Sequence, residues 1–229
     1  KITKNSVNSR CFLIFLLTLA PKYIDMQEIK DLSAYRQSLK TKIMETANKA
    51  FLMQGIKAVK MDSLASSLSI SKRTLYEIYG DKESLLFACI KDDHEKRQAY
   101  LQGFAMEHTV METVLEVYSR KLEDLRTVNS AFYADLPLYP KVMAFIEKSH
   151  RDMHEHFIAF MQRGVKEGYF RKEVNYELIS LMFDSIGRYV AQEELYVQYP
   201  YEELLKNLML VPLRGLCTPK GVKILSQKL

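Results

Sequence analysis

Apolar residues recur every three or four positions along most of this chain, which is the spacing of helices that bury one face. Patterns of this kind predict helices over about 38–54, 82–104, 109–127, 131–136, 141–166, 176–197 and 201–216, with Gly55 as the stop of the first and Asp81 as the N-cap of the second. The composition agrees, because 8 glycines and 6 prolines in 229 residues favour helices over many short strands. The sequence therefore predicts an all-α fold.

Two shorter patterns lie between the first two of these helices. The first has three apolar residues on one face: Leu64, Ala65 and Leu68. Ser71, a good N-cap, then begins a second segment whose first turn holds Lys72 and Arg73. Since the N-terminal end of a helix favours acids, two cations there indicate a negatively charged partner. Two short helices joined by a few residues, of which the second is basic, are typical of a helix-turn-helix. The alternative is an ordinary helical hairpin with a solvated charged face.

A series of short motifs runs through this region from the end of the first helix to the start of the fourth. In order they are Gly55-Ile56, Leu64-Ala65, Ile70-Ser71, Thr74-Leu75-Tyr76, Tyr79, Gly80-Asp81 and Lys82-Glu83. In kind and order they resemble the DNA-binding domain of the tetracycline-repressor (TetR) family of bacterial transcription regulators. The resemblance covers less than a quarter of the chain.

Three positions depart from the family pattern. Ser69 stands where the turn usually has glycine, so this serine is expected to adopt a positive φ at a cost of roughly 1–2 kcal/mol. Lys60 replaces the usual Thr or Ser cap of the second helix and places a cation near the expected phosphate backbone. Tyr79 replaces the more usual Phe.

The resemblance implies a homodimeric regulator, most often a repressor, that binds double-stranded DNA at a near-palindromic operator. It implies that Lys72, Arg73 and Thr74 reach base edges in the major groove. The phosphate contacts that it implies are Lys60, Ser71, Tyr76 and Lys82. It also implies a helical regulatory domain whose first helix, after Asp81, transmits the state of a bound effector.

We therefore divide the chain into an extension (1–35), a DNA-binding domain (36–82) and a regulatory and dimerisation domain (83–229). The regulatory part is rich in aromatic residues and methionines, which suits a small lipophilic or aromatic effector. The candidate effector contacts are Tyr118, Phe132, Tyr133, Phe157, Met161 and Phe183. The alternative for each of these residues is that it only fills the core.

The last two predicted helices carry more apolar surface than one neighbour can cover. In the family these helices form the homodimer, so we take their apolar residues as candidate dimer contacts. They are Leu178, Met182, Ile186, Leu205, Leu208 and Met209. Pro212 is expected to kink the last helix, and residues 218–221 are expected to close it before a basic tail.

The positive charge of the chain is concentrated near the motifs. Residues 36–82 hold nine bases and four acids, whereas the net charge of the whole chain is +5. Such a division is expected when one small domain binds nucleic acid. The three cysteines, Cys11, Cys89 and Cys217, are widely spaced, which indicates a reducing compartment and no disulfide framework. Cys89 is expected to be a small buried hydrophobe.

The N-terminal residues do not fit this picture. The apolar run 11–20 superficially resembles a secretory signal, but it is too short to span a membrane, and Pro21 makes a poor cleavage junction. We expect residues 1–25 to reflect an over-long start assignment, with the functional chain beginning near Met26 in the bacterial cytoplasm. The alternative is a short apolar helix packed on the body of the protein.

The sequence holds no Gly-rich phosphate loop, no nucleophile elbow and no cysteine pairs with metal-site spacing, so we predict neither an enzyme nor a cofactor. His150 and His154 are one helical turn apart, but we expect a solvated surface there and no metal. Two alternatives to a ligand-responsive repressor remain. One is a DNA binder controlled by a protein partner, and the other is an all-α adaptor that does not bind DNA.

Overall fold

The structure is a computed structural model that describes residues 26–193 and 195–228. The described residues divide into two units, one ending at Ile43 and the other beginning at Met44. The described part of the first unit is the beginning of helix α1 (Met26–Gln54), which starts earlier than the predicted residue 38. The predictions for residues 1–25, including Cys11, lie outside the described residues.

Three helices follow α1 in the region of the sequence motifs: α2 (Met61–Ser67), α3 (Lys72–Tyr79) and α4 (Lys82–Glu107). Their boundaries follow from local chemistry. Gly55 ends α1 with φ +85° and donates its N–H to the Phe51 carbonyl at 3.0 Å. Asp81 caps α4 by accepting the Ser84 N–H at 2.6 Å. Both stop and cap confirm the sequence prediction.

The rest of the chain is a run of helices with short connections. It comprises α5 (Val110–Thr127), α6 (Ser130–Asp135), a 3₁₀ turn (Leu136–Leu138), α7 (Pro140–Asp152), α8 (His154–Lys166), α9 (Tyr176–Gln192), α10 (Leu195–Gln198), α11 (Tyr201–Leu205), a π-helical turn (Lys206–Leu210), α12 (Val211–Leu216) and α13 (Pro219–Lys228). The described residues contain no β-strand beyond one isolated bridge between Phe170 and Cys217. The predicted all-α fold is therefore confirmed. No helix in the described part of the chain is long and apolar enough to cross a membrane.

The later part of the chain differs from the predicted helices at several places. The single helix expected over 141–166 is broken at Met153, next to His154, whose imidazole is hydrogen-bonded to α9. The kink expected at Pro212 appears as the π-helical turn just before it, because proline removes one backbone donor and crowds the previous turn. The expected basic tail is helix α13, since a proline favours the first turn of a helix as readily as it ends one.

The core of the regulatory part is built from α5, α8 and the C-terminal helices. Its fully buried side chains include Met111, Met161, Phe170 and Leu225. Cys217 is also buried there, and burial raises the pKa of its thiol to about 11. Cys89 is 1% exposed, as predicted, and burial raises its pKa to about 12, so both thiols stay protonated and unreactive.

Candidate nucleic-acid interface

Helix α3 is positioned by its cap and by its inner face. The Ser71 hydroxyl accepts the Thr74 N–H at 3.0 Å and lies 2.8 Å from the Thr74 hydroxyl. Leu75 and Tyr79 are buried and hold the helix against the protein. The opposite face, with Arg73 and Tyr76, is exposed. The predicted N-cap is confirmed, and the first turn of α3 presents its side chains to solvent.

The two cations of this first turn lie on an open surface but are not unpaired. Lys72 Nζ contacts an Asp62 carboxylate oxygen at 2.8 Å, and Arg73 Nε contacts Glu77 Oε1 at 2.7 Å. The hydrogen bonds to these carboxylates raise the pKa of both cations, so both remain charged. Exposed pairs of this kind contribute little to stability, so an approaching phosphate or base can exchange with them.

The turn between α2 and α3 carries a strained residue. Ser69 has φ +54°, the positive value that the sequence predicted for it. Lys60 occupies the N-cap position of α2 without a side-chain cap hydrogen bond, which confirms that the lysine replaces a cap. The helix-turn-helix is therefore formed despite two locally unfavourable residues.

Replacing Ser69 by glycine is expected to stabilise the protein by about 0.5–1 kcal/mol. The substitution removes the left-handed strain of a side chain but adds backbone freedom to the unfolded chain. Thermal unfolding measures the effect. Ser66→Gly, in the exposed helical backbone of α2, is the matched control and should lower the melting temperature, so equal behaviour of the two variants would contradict the assigned strain.

Lys82, predicted as a phosphate contact, is half-buried. Its ammonium group donates to the Lys57 carbonyl at 3.3 Å, and burial lowers its pKa although Asp135 acts in the opposite direction. This lysine therefore helps to hold the turn between α1 and α2. The contact of Lys82 with DNA remains a prediction, as do the DNA contacts of the six other candidate residues.

Helix α6 forms a joint with the turn after α1, and sequence reasoning missed it. The buried Asp135 carboxylate accepts the Lys57 N–H at 2.7 Å. Asn129 donates its backbone N–H to the Leu52 carbonyl at 2.8 Å and its side-chain amide to the Met53 carbonyl at 3.2 Å. The two bonds from Asn129 satisfy carbonyls at the C-terminal end of α1, which have no partner within the helix itself.

Gly55 completes this joint by its small size. A Cβ atom built on Gly55 would lie 2.8 Å from Ala131 Cβ on α6, closer than real Cβ contacts allow. The only sequence signal for the joint was Gly55 itself, which we interpreted as a helix stop and nothing more. A second connection lies nearby, where Glu83 of α4 accepts the Lys141 N–H of α7 at 2.8 Å.

The six candidate effector contacts do not form one cluster. Met161 and Tyr118 belong to the buried core, and Phe157 lies edge-to-face with Phe183 at 6.2 Å on the same core. Phe132 is buried on α6, and Tyr133 stacks on Tyr201 at a centroid distance of 5.8 Å. An open recess of about 410 Å³ near residues 165–173 and 218–219 is lined by none of the six.

The candidate dimer contacts differ in exposure. Leu178 is 62% exposed, whereas Met182, Ile186, Leu208 and Met209 are half-buried. The prediction of Leu205 as a dimer contact was wrong, because this side chain is 8% exposed and packs into the core of its own subunit. Sequence periodicity could not distinguish a side chain that fills the core from one that covers its outside. The exposed Leu181 and Tyr189 of α9 were missed for the same reason.

His154 has a structural role. His154 Nδ1 lies 2.8 Å from the Ser180 hydroxyl, and Nε2 lies 2.8 Å from Glu177 Oε2. Both partners are on α9, so the imidazole connects the start of α8 to that helix. Among the residues that the structure describes, no group of three His, Cys, Asp or Glu side chains has the arrangement of a metal site.

Comparisons with known proteins agree with this geometry. The family model described as bacterial regulatory proteins, tetR family, matches residues 43–89. The uncharacterized HTH-type transcriptional regulator YezE of Bacillus subtilis is 23% identical over 163 residues, which cover 67% of this chain and 80% of the relative. The HTH-type transcriptional regulator SAR2658 of Staphylococcus aureus is 30% identical over 128 residues, 47% of this chain and 65% of the relative.

Among solved structures, a protein described as a transcriptional regulator from Saccharomonospora viridis, in complex with choline, has a similar fold. Its TM-score is 0.61 at 14% identity, and the match covers 80% of this chain and 99% of that one. At this identity the match shows a common fold. The matched helices extend well beyond the helix-turn-helix, so the similarity includes the regulatory part.

Proposed function

The chain belongs to the tetR family of bacterial regulatory proteins and is a DNA-binding transcriptional regulator, and from this premise we propose that it is a ligand-responsive repressor. It binds a near-palindromic operator as a homodimer. Residues 36–82 contact DNA, residues 83–229 bind the effector and the second subunit, and residues 1–35 precede both domains. The observation that carries the proposal is the first turn of α3, which is capped by Ser71 and has both cations on an open surface.

The division of contacts follows from the positions of the side chains. Arg73 has 88% of its side chain exposed and its planar guanidinium suits a guanine edge in the major groove. Lys72 and Thr74 flank it and read neighbouring positions. Tyr76 and Lys60 are exposed beside this turn and suit phosphate contacts, which fix register without reading sequence.

Arg73→Ala is expected to weaken operator binding by about 1–3 kcal/mol and to reduce the preference for operator over random DNA. Fluorescence anisotropy with labelled duplexes at several salt concentrations measures both quantities, because phosphate contacts give a steep salt dependence. Arg151→Ala, an exposed arginine on α7, is the matched control and should bind like the wild type. Equal losses on operator and random DNA would refute the base-reading role of Arg73.

The proposed dimer uses the outer face of α9. Leu178, Leu181 and Tyr189 lie on one side of this helix at helical spacing and are 62%, 56% and 57% exposed. A row of exposed apolar side chains of this kind is typical of a protein–protein interface. Met182 and Ile186 border the row, and Leu208 and Met209 of the π-helical turn remain candidates, whereas Leu205 does not.

Leu181→Glu is expected to weaken dimerisation by at least about tenfold, because a buried carboxylate would replace an apolar contact. Sedimentation equilibrium measures the dissociation constant. The matched control is Leu138→Glu, since Leu138 is 53% exposed on the 3₁₀ turn and lies outside α9. If Leu181→Glu stays dimeric at the same concentrations as the wild type, the proposed interface is wrong.

The effector acts through α6. This six-residue helix carries Tyr133 on the regulatory side and Asp135 at the joint with the turn after α1. An effector that binds one position of α6 better than another shifts the position of that turn, and with it the separation of the two recognition helices in the dimer. The operator then loses affinity because the half-site spacing no longer matches.

A further inference from the structure

Helix α3 carries its charges in the opposite order to the one that a helix dipole favours. Its first turn holds two cations and no acid, and its last turn holds no base. Glu77 lies in the C-terminal half of the helix, four residues after Arg73. Acids are favoured near the N-terminal end of a helix, and an acid that precedes its base is the better order for a pair. Helix stability therefore does not account for the positions of Arg73 and Glu77.

The two side chains form an ion pair within α3. Arg73 Nε donates to Glu77 Oε1 at 2.7 Å, and the side chains are 88% and 54% exposed. An exposed pair of this kind contributes little to stability. The neighbouring pair differs, because the Lys72 ammonium contacts both oxygens of Asp62 and so connects α3 to α2. Within the described part of the chain, the Arg73–Glu77 pair connects α3 to no other element.

The geometry of the pair leaves the outer edge of the Arg73 guanidinium open. Glu77 binds only Nε, and the two terminal nitrogens have no hydrogen-bond partner among the described residues. Two parallel N–H donors of an arginine match the N7 and O6 acceptors of guanine in the major groove. A guanidinium that is already held at Nε loses less side-chain freedom when it binds such an edge.

The same carboxylate lies where a phosphate would approach Arg73. DNA of any sequence offers phosphates, and phosphate contacts carry no sequence information. A phosphate that takes Nε must displace Glu77 Oε1 and then lie beside its negative charge. A guanine edge can bind the terminal nitrogens without displacing the carboxylate. Repulsion of the wrong partner in this way is a source of specificity.

We propose that Glu77 is a specificity-determining residue of the DNA interface: its carboxylate positions the Arg73 guanidinium for a guanine edge and competes with phosphates for it. The inference rests on the proposed function, because it assumes that Arg73 reads a base. Glu77 is a positioning residue, which acts on DNA through Arg73. Its loss increases binding to DNA of arbitrary sequence more than binding to the operator.

The test compares the wild type and Glu77→Gln on two duplexes. In vitro selection from a randomised duplex pool gives the preferred sequence, and a scrambled duplex of the same composition represents non-specific DNA. We expect Glu77→Gln to bind the scrambled duplex about three- to tenfold more tightly and to lower the ratio of the two affinities by at least about threefold. The salt dependence on the scrambled duplex should steepen by about one ion, because Arg73 then neutralises a phosphate.

Glu147→Gln removes the same charge from an exposed position on α7 and should bind both duplexes like the wild type. In an Arg73→Ala background, Glu77→Gln should change the affinity for both duplexes by the same factor, because the group that it positions is gone. Three results would each overturn the inference. They are a wild-type ratio in Glu77→Gln, the same gain in Glu147→Gln, and an equal fall of the ratio with and without Arg73.

Arg73→Ala alone separates this inference from the proposed function. If it weakens binding to both duplexes equally, Arg73 reads no base, and the proposed contact and the inference fail together. If Arg73→Ala lowers the ratio while Glu77→Gln keeps the ratio of the wild type, only the role of Glu77 is wrong. The three substituted positions are exposed, so the variants are expected to fold like the wild type.

Discussion

Replacing Gly55 by alanine is expected to lower the free energy of unfolding by about 2–5 kcal/mol. Two costs add at this position. The backbone has φ +85°, which costs an L-residue roughly 1–2 kcal/mol. The new Cβ would also lie 2.8 Å from Ala131 Cβ, so the joint between α6 and the turn after α1 must open, at a further cost of about 1–3 kcal/mol. Urea unfolding followed by circular dichroism measures the change.

Gly103→Ala is the matched control for this substitution. Gly103 lies inside α4, and a methyl group added there would meet nothing within 4 Å, so alanine should stabilise the protein by about 0.5–1 kcal/mol. In the Gly55→Ala background, Ala131→Gly should recover part of the steric cost, because it removes the atom that the new methyl contacts. A Gly55→Ala protein as stable as the wild type would show that the joint is looser than the structure describes.

Replacing Asp135 by alanine is expected to destabilise the protein by about 1.5–3 kcal/mol and to weaken DNA binding in addition. Asp135 is 8% exposed, its carboxylate accepts the Lys57 N–H at 2.7 Å, and Lys57 Nζ lies 4.0 Å from the other carboxylate oxygen. Removal leaves the Lys57 N–H without its partner and frees the turn that leads into α2. Thermal unfolding gives the stability, and anisotropy with duplex DNA gives the affinity.

Asp135→Asn separates charge from hydrogen bonding at this position. The amide oxygen still accepts the Lys57 N–H, so we expect a loss smaller than that of the alanine variant. Asp152→Ala, an exposed aspartate at the end of α7, controls for the loss of one negative charge and should change neither stability nor affinity by more than about 0.5 kcal/mol. If Asp135→Ala and Asp152→Ala behave alike, α6 does not hold the turn.

These substitutions concern a joint whose two sides are far apart in sequence. Tyr133 and the joint at Asp135 share helix α6, so a substitution at the joint is expected to change the response to an effector that contacts this helix. Allosteric coupling of this kind needs an element with two positions, and a short helix held to the end of α1 by three hydrogen bonds, two at its N-terminal end and one at its C-terminal end, is suited to that role.

Features that depend on a few neighbouring residues were predicted correctly from the sequence. The caps at Ser71 and Asp81, the helix stop at Gly55 and the positive φ of Ser69 all follow from chemistry within three or four residues. A side-chain oxygen, a missing Cβ or a turn of fixed length decides each of them with little help from the rest of the fold. The family motifs are local in the same sense, and the match over residues 43–89 confirms them.

By itself, then, the sequence determined the all-α class, the helix-turn-helix and the two cations at the start of α3. Only the tertiary structure decided that Asp135 holds the turn after α1 and that Leu205 belongs to the core. The physical reason is distance along the chain. Asp135 and Lys57 are 78 residues apart, and helical periodicity tells which face of a helix is apolar but not which neighbour covers it.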